Sequence, residues 1–295
     1  MIARTDLAVE LQEDKNWEIP MEGIRMKTRV DTEHHIKETK IVIENEAGSR
    51  QLGKPVGTYI TLECHDLQEN DFSYHDEMST VLSEYLQLLL PHRKKILIAG
   101  LGNRNVTPDA LGPYVIDHLF VTGHLQKHGY YKGSRDIRAI SPGVMAQTGM
   151  ETGEILKAII KETEAEVLIV IDALSARNSR RLNTTIQVSN TGILPGAGIG
   201  NHRKAINEQT MGVPVIAIGV PTVISISTIL CDAVESLVEQ DIITEEQQAQ
   251  FIHDAFDDGM KKMFVTPKNI DEAVQRISFT VSEGINQWII REENE

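Results

Sequence analysis

Two aspartates in the middle of the sequence have the residue type and the setting that peptide hydrolysis could use. Asp109 lies in "GLGNRNVTPDALGP", directly after the apolar run "ILIA", and Asp172 follows an apolar run in "VLIVIDALS". Two carboxylates that lie close together do not both ionise readily, so one keeps a proton and acts as an acid while the other activates water. The sequence therefore makes Asp109 and Asp172 the candidate catalytic pair.

Each aspartate also has a structural interpretation. Thr107 could cap a helix that begins at Pro108, with Asp109 complementing the helix dipole. Asp172 stands at the end of a buried strand, where a carboxylate could accept hydrogen bonds from the amides of a neighbouring loop. Considered one by one, the residues favour the structural role for Asp109 and leave the two roles of Asp172 about even.

The pattern of apolar runs predicts an α/β protein. Four short apolar runs, "KKILIAGLG", "RDIRAISPG", "VLIVIDALS" and "VPVIAIGVP", have the character of strands buried on both faces. Helical stretches separate most of them, and we expect further helices over about 244 to 263 and 270 to 290. This alternation predicts a mostly parallel open sheet with helices on both faces.

The first third of the chain predicts an addition to that sheet. "IKETKIVIENE" and "GTYITLEC" alternate apolar and polar residues, which predicts two strands of a small N-terminal β unit. "EMSTVLSEYLQLLLP" has the apolar spacing of an amphipathic helix, and "TTIQVSN" predicts another strand, at an edge. In an open parallel sheet the site lies beyond the carboxyl ends of the strands, where both aspartates are expected.

Composition excludes several classes of function. The chain has 295 residues, 41% of them apolar, and a formal net charge of -14, which disfavours direct binding to nucleic acid or to an anionic membrane. No apolar run approaches the roughly 20 residues of a membrane helix, and the first residues lack the apolar core of a signal peptide. Cys64 and Cys231 form no CxxC pair, so we expect a reducing cytoplasm.

No motif for a cofactor stands out. A dinucleotide fingerprint would require glycine where Asn105 stands, and the histidines form no HExxH zinc signature. The sequence also lacks the GxSxG nucleophile elbow. We therefore expect no cofactor and no metal.

Five motifs follow one another along the chain: "GLGNRNVTPDALGP", "SPGVMAQTGMET", "VIDALSAR", "GIGNHRK" and "GVPVIAIGVPTV". In this order and spacing they resemble the germination proteases of endospore-forming bacteria, over nearly the whole chain. The resemblance implies the fold of the hydrogenase-maturation endopeptidases and an endopeptidase that cuts small acid-soluble spore proteins during germination. It also implies an atypical aspartic peptidase whose two essential aspartates match Asp109 and Asp172, which reverses the preference for a structural role at Asp109.

The resemblance further implies a zymogen that removes its own N-terminus. Its expected site, a small hydroxyl residue, an acidic residue, a bulky apolar residue and alanine, matches "TDLA" in "RTDLAVE", which predicts cleavage between Asp6 and Leu7. The expected organisation is a propeptide at 1–6, an N-terminal arm, β unit and helix at 7–92, and a catalytic core at 93–295. A homotetramer in the cytoplasm of the forespore and spore core is also implied.

An enzyme that selects an acidic residue should offer that residue a cation, because a buried carboxylate without a partner is unfavourable. Four residues in loops near the expected site could do so: Arg177, Arg104, Arg203 and His202. Arg177 is preferred because it is close to Asp172. Two other functions stay open: a metal-dependent maturation endopeptidase with the two aspartates and His202 as ligands, and a non-enzymatic binding module.

Overall fold

One mixed sheet forms the centre of the chain. The computed structural model describes residues 5–13, 22–68, 72–90, 94–131, 133–196, 204–239, 244, 246–247 and 263–291. Within these residues the strand order is β1-β2-β3-β7-β8-β6-β4-β5, and β9 pairs with β8. The strands are β1 Ile24–Asp31, β2 Ile36–Ile43, β3 Gly57–Glu63, β4 Lys95–Gly100, β5 Asp136–Ile140, β6 Val167–Ala176, β7 Thr185–Ser189, β8 Val215–Ser225 and β9 Phe264–Val265.

Helices lie between these strands and after them. None of the helices in the described part of the chain is long and apolar enough to cross a membrane. The helices are α1 Ala8–Glu13, α2 Glu46–Leu52, α3 Phe72–Leu89, α4 Leu111–Asp117, α5 Gly123–Lys127, α6 Met145–Thr148, α7 Thr152–Thr163, α8 Glu208–Met211, α9 Ile226–Glu239 and α10 Ile270–Arg291.

The α/β class predicted from the sequence is confirmed. Strands β5, β4, β6 and β8 pair in parallel, with β5 at the edge of the sheet. The N-terminal strands are not a separate sheet, because β3 pairs antiparallel with β7, and β7 pairs antiparallel with β8. The strand predicted from "TTIQVSN" is therefore β7, and its predicted edge position is wrong, since it lies between two strands.

Helices pack on both faces of the parallel core. Ile169 and Ile171 of β6 belong to the apolar cluster that includes residues of α3, α4 and α10. Leu168 and Val170 belong to a second cluster with residues of α7 and α8. Because successive side chains of a strand point to opposite faces, Asp172 lies on the face that α7 and α8 cover.

Two strands are longer than the sequence predicted. β6 and β8 stay paired from Leu168–Val215 to Ala176–Ile224, so "DALSA" and "PTVIS" are strand and not loop or helix. The physical reason is mutual pairing, since each strand supplies the backbone hydrogen bonds that the other requires. The C-terminal helix expected at about 270 to 290 is confirmed as α10. Most of the helix expected at about 244 to 263 lies outside the described residues.

Candidate active site

The strand β6 carries Asp172 past the end of its neighbour β4. The last register pair of these strands is Gly100 with Ile171, and the Leu101 N–H donates to the Ile171 carbonyl at 2.8 Å. Asp172 is the next residue, 5% exposed, and its Oδ1 accepts the Ala173 N–H at 3.0 Å. Asp172 is therefore a buried carboxylate at the carboxyl end of β4.

The chain that leaves β4 returns Asp109 to the same end of the sheet. Thr107–Asp109 form one turn of 3-10 helix, which contacts β6 and β8. The Thr222 hydroxyl of β8 donates to the Pro108 carbonyl at 2.6 Å, and Asp109 Oδ2 accepts the Asn103 N–H at 2.8 Å. Both contacts fix Asp109 from outside its own turn.

This geometry differs from the helix start expected at Thr107. The helix α4 begins at Leu111, and Ala110 precedes it without a side-chain cap. Asp109 therefore lies before the helix, and its carboxylate bonds to the loop after β4. The helix-cap interpretation of Thr107 and Asp109 is wrong because Pro108 and Asp109 complete a separate 3-10 turn.

A glycine makes this loop possible. Gly102 has φ +108°, a backbone conformation that side chains rarely adopt. A Cβ at this position would lie 2.0 Å from the Asp109 carbonyl oxygen. Gly102 therefore lets the backbone pass close to Asp109.

The second loop of the predicted site joins the first. Gln147, in "SPGVMAQTGMET", donates from Nε2 to Asn103 Oδ1 at 2.9 Å, and the Asn105 N–H donates to the same oxygen at 3.0 Å. The strand order also reverses direction at β4, because β5 lies on one side of β4 and β6 lies on the other. Ligands of open α/β sheets bind at such a switch point, and Asp109 and Asp172 flank it.

The first described residues of the chain lie against the same strand. We call Thr5–Glu13 the N-terminal segment. The Asp6 N–H donates to the Ser175 carbonyl at 3.0 Å, and Asp6 Oδ2 accepts the Ser175 N–H at 2.9 Å. Leu7 is fully buried and belongs to one apolar cluster with Val9 and Leu174. The predicted cleavage site is thus docked on β6, near Asp172.

Ion pairs hold the rest of this segment. Arg181 is 5% exposed and bonds to Glu13 at 2.6 Å and to Glu63 at 2.8 Å, with Glu10 at 3.4 Å. Burial alone would raise the pKa of Glu13, but the hydrogen bond from Arg181 brings it below its ordinary value. Glu10 also accepts the N–H groups of the residues at 177 and 178, at 2.8 and 2.9 Å.

The structure describes two of the four cations that the sequence predicts to bind an acidic substrate residue. Arg177 is next to the N-terminal segment, because its N–H donates to Glu10. Arg104 forms a bidentate ion pair with Asp117 at 2.6 and 2.8 Å. Arg203 and His202 lie outside the described residues.

Three residues that sequence reasoning missed also contact the N-terminal segment: Lys54, Ser175 and Gln187. Gln187 is a buried polar residue between apolar neighbours on β7, a pattern that could have marked it. Lys54 follows a helix in a loop and has no such signal. Ser175 acts through its backbone, which sequence does not distinguish.

A possible metal cluster lies elsewhere. Among the described residues, one group of three could offer ligand atoms within 4.8 Å of one another: Asp31, His34 and Glu77. It lies at the β1 end of the sheet and includes neither Asp109 nor Asp172. A hydrogen bond from His34 to Asp31, at 3.0 Å, raises the pKa of His34, which favours the protonated form that binds no metal.

The fold and site define an α/β protein with two carboxylates at the switch point of its parallel strands, and comparison with known proteins identifies its family. The model of the family described as germination protease matches residues 2–241. Germination proteases of Caldanaerobacter subterraneus subsp. tengcongensis and Bacillus subtilis are 40% and 34% identical to this chain. The alignment with the Caldanaerobacter protein covers 96% of this chain and 93% of that protein. The alignment with the Bacillus subtilis protein covers 97% of this chain and 92% of that protein. The chain belongs to the germination protease family and is therefore a peptidase.

A search of solved structures finds a hydrogenase maturation protease, HycI of Thermococcus kodakarensis KOD1. The match has a TM-score of 0.35 and 14% identity, and it covers 70% of this chain and 98% of that chain.

Proposed function

We propose that this peptidase is an endopeptidase that starts the degradation of small acid-soluble spore proteins during germination. The family to which the chain belongs supports a protease that works in spores. We place the enzyme in the cytoplasm of the forespore and spore core, as a homotetramer. Its net charge of -14 favours protein substrates over direct binding to DNA.

We also propose that the enzyme is made as a zymogen that cuts itself between Asp6 and Leu7. The observation that carries this proposal is the docking of "TDLA" on β6, with Asp6 bonded to Ser175 and Leu7 buried. A cleavage site held on the strand of a candidate catalytic residue reacts as an intramolecular substrate. The product would begin at Leu7.

Asp109 and Asp172 are the proposed catalytic pair. One carboxylate takes a proton from water, whose oxygen attacks the carbonyl carbon of Asp6, while the other supplies a proton to the leaving nitrogen of Leu7. The pair titrates as a unit, so neither role is assigned to one residue. No cofactor takes part in this scheme.

Intact mass spectrometry of the purified chain tests the proposal. The native chain should lose Met1–Asp6 on incubation at mildly acidic pH, and Asp172→Asn and Asp109→Asn should each keep their full mass. Asp117→Asn is the matched control, since it removes a carboxylate that pairs with Arg104 on the surface of α4, and it should process as the native chain does. Equal cleavage in all four proteins would reject the aspartate pair.

Two further experiments test the proposed substrate and the metal-dependent alternative. The processed enzyme should cut a purified small acid-soluble spore protein after an acidic residue. Dialysis against a chelator should leave that activity unchanged, and loss of activity that returns with a metal ion would favour the metal-dependent enzyme. We also propose that Arg177 binds the acidic residue of the substrate. Arg177→Ala should lower the ratio of the cleavage rate of acidic peptides to that of neutral peptides.

A further inference from the structure

Two side-chain donors converge on the carbonyl oxygen of Asp6. Lys54 donates from Nζ at 2.9 Å, and Gln187 donates from Nε2 at 3.3 Å. This is the carbonyl of the peptide bond between Asp6 and Leu7. We infer that Lys54 and Gln187 form the oxyanion-binding pair of this protease, and that Lys54 and the Ser175 N–H together recognise the acidic residue before the cleaved bond. The inference rests on the proposed cleavage between Asp6 and Leu7.

The register of the sheet puts Gln187 two strands away from the proposed catalytic residue Asp172. Gly219 of β8 pairs with Gln187 on one side and with Asp172 on the other. Residues paired in this way point to the same face of the sheet. Their Cα atoms are about 10 Å apart, two strand spacings.

The Leu174 side chain fills the space above Gly219, which has no side chain of its own. A Cβ at Gly219 would lie 2.4 Å from Leu174, and Leu174 belongs to the apolar cluster of Leu7. Leu7, the residue after the cleaved bond, therefore packs in one apolar cluster with Leu174, on the face that carries Asp172 and Gln187. The N-terminal segment crosses the sheet with its Asp6 carbonyl directed at the donors.

The backbone on either side of the cleaved bond is held as well. The Ala8 N–H donates to Gln187 Oε1 at 2.7 Å, so one amide side chain bonds the segment on both sides of Leu7. The Leu7 N–H donates to the Thr5 hydroxyl at 3.0 Å, and that hydroxyl bonds to Glu10. These contacts orient the peptide group for attack from one direction.

The chemistry requires donors at this oxygen. When water adds to the Asp6 carbonyl carbon, a C–O bond forms and the carbonyl oxygen becomes an oxyanion. The C–N bond to Leu7 then breaks, the oxyanion returns to a carbonyl, and the nitrogen takes the proton that the acidic aspartate supplies. Donors already in place stabilise the oxyanion without reorganisation, which is commonly a large part of enzymatic rate enhancement.

The environment of Lys54 favours the charged transition state over the ground state. Part of the Lys54 chain is exposed, but burial of the ammonium group lowers its pKa, and the carboxylates of Asp6 and Glu10 only partly oppose this. A largely desolvated cation that bonds a neutral carbonyl oxygen in the ground state gains a directly bonded negative charge when the oxyanion forms. Binding is therefore stronger in the transition state.

The same geometry explains selection of an acidic residue. The Asp6 carboxylate accepts the Ser175 N–H at 2.9 Å, and its charge acts on Lys54. An apolar side chain at this position would leave the Ser175 N–H without that acceptor and Lys54 without that counter-charge. A peptide with aspartate or glutamate before an apolar residue is the class of substrate that fits.

Self-processing rates of single variants test the inference. Lys54→Met should slow loss of Met1–Asp6 by about 10²–10³-fold, the usual effect of removing an oxyanion donor. Lys54→Arg should process faster than Lys54→Met because it keeps a cationic donor. Gln187→Glu keeps the acceptor for Ala8, removes the donor to Asp6, and should also slow processing. Lys157→Met, which changes an exposed lysine on α7, should process at the native rate.

Hydrogen exchange separates catalysis from docking. Amide protection over residues 5–13 should be the same in Lys54→Met and in the unprocessed Asp172→Asn protein. Loss of that protection in Lys54→Met would mean that Lys54 only anchors the segment, and would overturn the oxyanion role. A native chain that processes no faster than Lys54→Met and Gln187→Glu would also overturn it. If the native chain does not process, the proposed cleavage fails and the inference fails with it.

Discussion

Asp6 and Ser175 bond to each other twice, through the Asp6 N–H to the Ser175 carbonyl at 3.0 Å and through the Ser175 N–H to the Asp6 carboxylate at 2.9 Å. Ser175 is on β6, the strand of Asp172. An acidic side chain before the proposed cleaved bond is therefore held by backbone, at a fixed distance along the strand from a candidate catalytic residue. A backbone donor on a paired strand moves less than a surface arginine, so it positions this side chain more firmly.

Removing only the charge of Asp6 should slow self-processing. Asp6→Asn keeps an oxygen that accepts the Ser175 N–H but loses the charge-assisted character of the bond, which is about twice as strong as a neutral one. We expect about a tenfold slower loss of the first six residues, measured by intact mass at one pH. Asp31→Asn, in a hydrogen-bonded turn at the far end of the sheet, is the control. Equal rates for Asp6→Asn and the native chain would show that charge at this position is irrelevant.

Because the Gly102 backbone passes close to Asp109, we expect substitution of Gly102 to reduce both activity and stability. Gly102→Ala combines a positive φ with a collision at the Asp109 carbonyl oxygen, so we expect loss of processing and a lower free energy of unfolding. Gly212→Ala has a similar positive φ of +79° but nothing within 4 Å of the new Cβ. It should lose only about 1 kcal/mol from backbone strain and keep its activity. Urea unfolding and intact mass on both variants make the comparison, and equal activity in the two would contradict it.

The ion pairs of Arg181 predict that its substitution lowers the free energy of unfolding. Arg181→Met leaves the buried carboxylates of Glu10 and Glu63 without this cation, and breaking a buried pair in this way typically costs about 3–5 kcal/mol. Lys37 still lies 3.2 Å from Glu63, which favours the lower end of that range. Urea unfolding measures the change.

Arg180→Met is the matched control for that variant. Arg180 is the exposed neighbour of Arg181, and its substitution should change the free energy of unfolding by less than about 0.5 kcal/mol. Equal losses in the two variants would mean that the buried carboxylates do not depend on Arg181.

The sequence predicts the elements of this fold better than their lengths. Short apolar runs identify β4, β6 and β8, because a strand buried on both faces requires apolar residues throughout. β5, predicted in the same way, is a partly exposed edge strand. The polar residues in "DALSA" and the proline in "PTVIS" suggest that these strands end early, yet β6 and β8 continue by pairing with each other. The pairing of β3 with β7 is a contact between distant segments that no local pattern records.

The sequence also predicts only some residues of the candidate site. Asp109 and Asp172 are visible in sequence because carboxylates after buried strands are uncommon and meet at one end of a parallel sheet. Lys54 is remote in sequence from both, and only the docking of the N-terminal segment brings it to the Asp6 carbonyl. Residues that act on a peptide group through such contacts have no characteristic spacing.

The depressed pKa of Lys54 predicts a pH dependence of stability. Burial lowers this pKa below its ordinary value of 10.5 despite the opposing carboxylates of Asp6 and Glu10. Between the folded pKa and 10.5 the unfolded chain binds more protons at this lysine than the folded chain does, so the free energy of unfolding rises with pH in that window. We expect unprocessed Asp172→Asn protein to gain stability relative to Asp172→Asn with Lys54→Met as the pH rises toward 10.5. Urea unfolding across that range measures the difference, and Asp172→Asn with Lys157→Met should run parallel to Asp172→Asn alone. Parallel curves for the Lys54 pair would mean that its ammonium is as well solvated when folded as when unfolded.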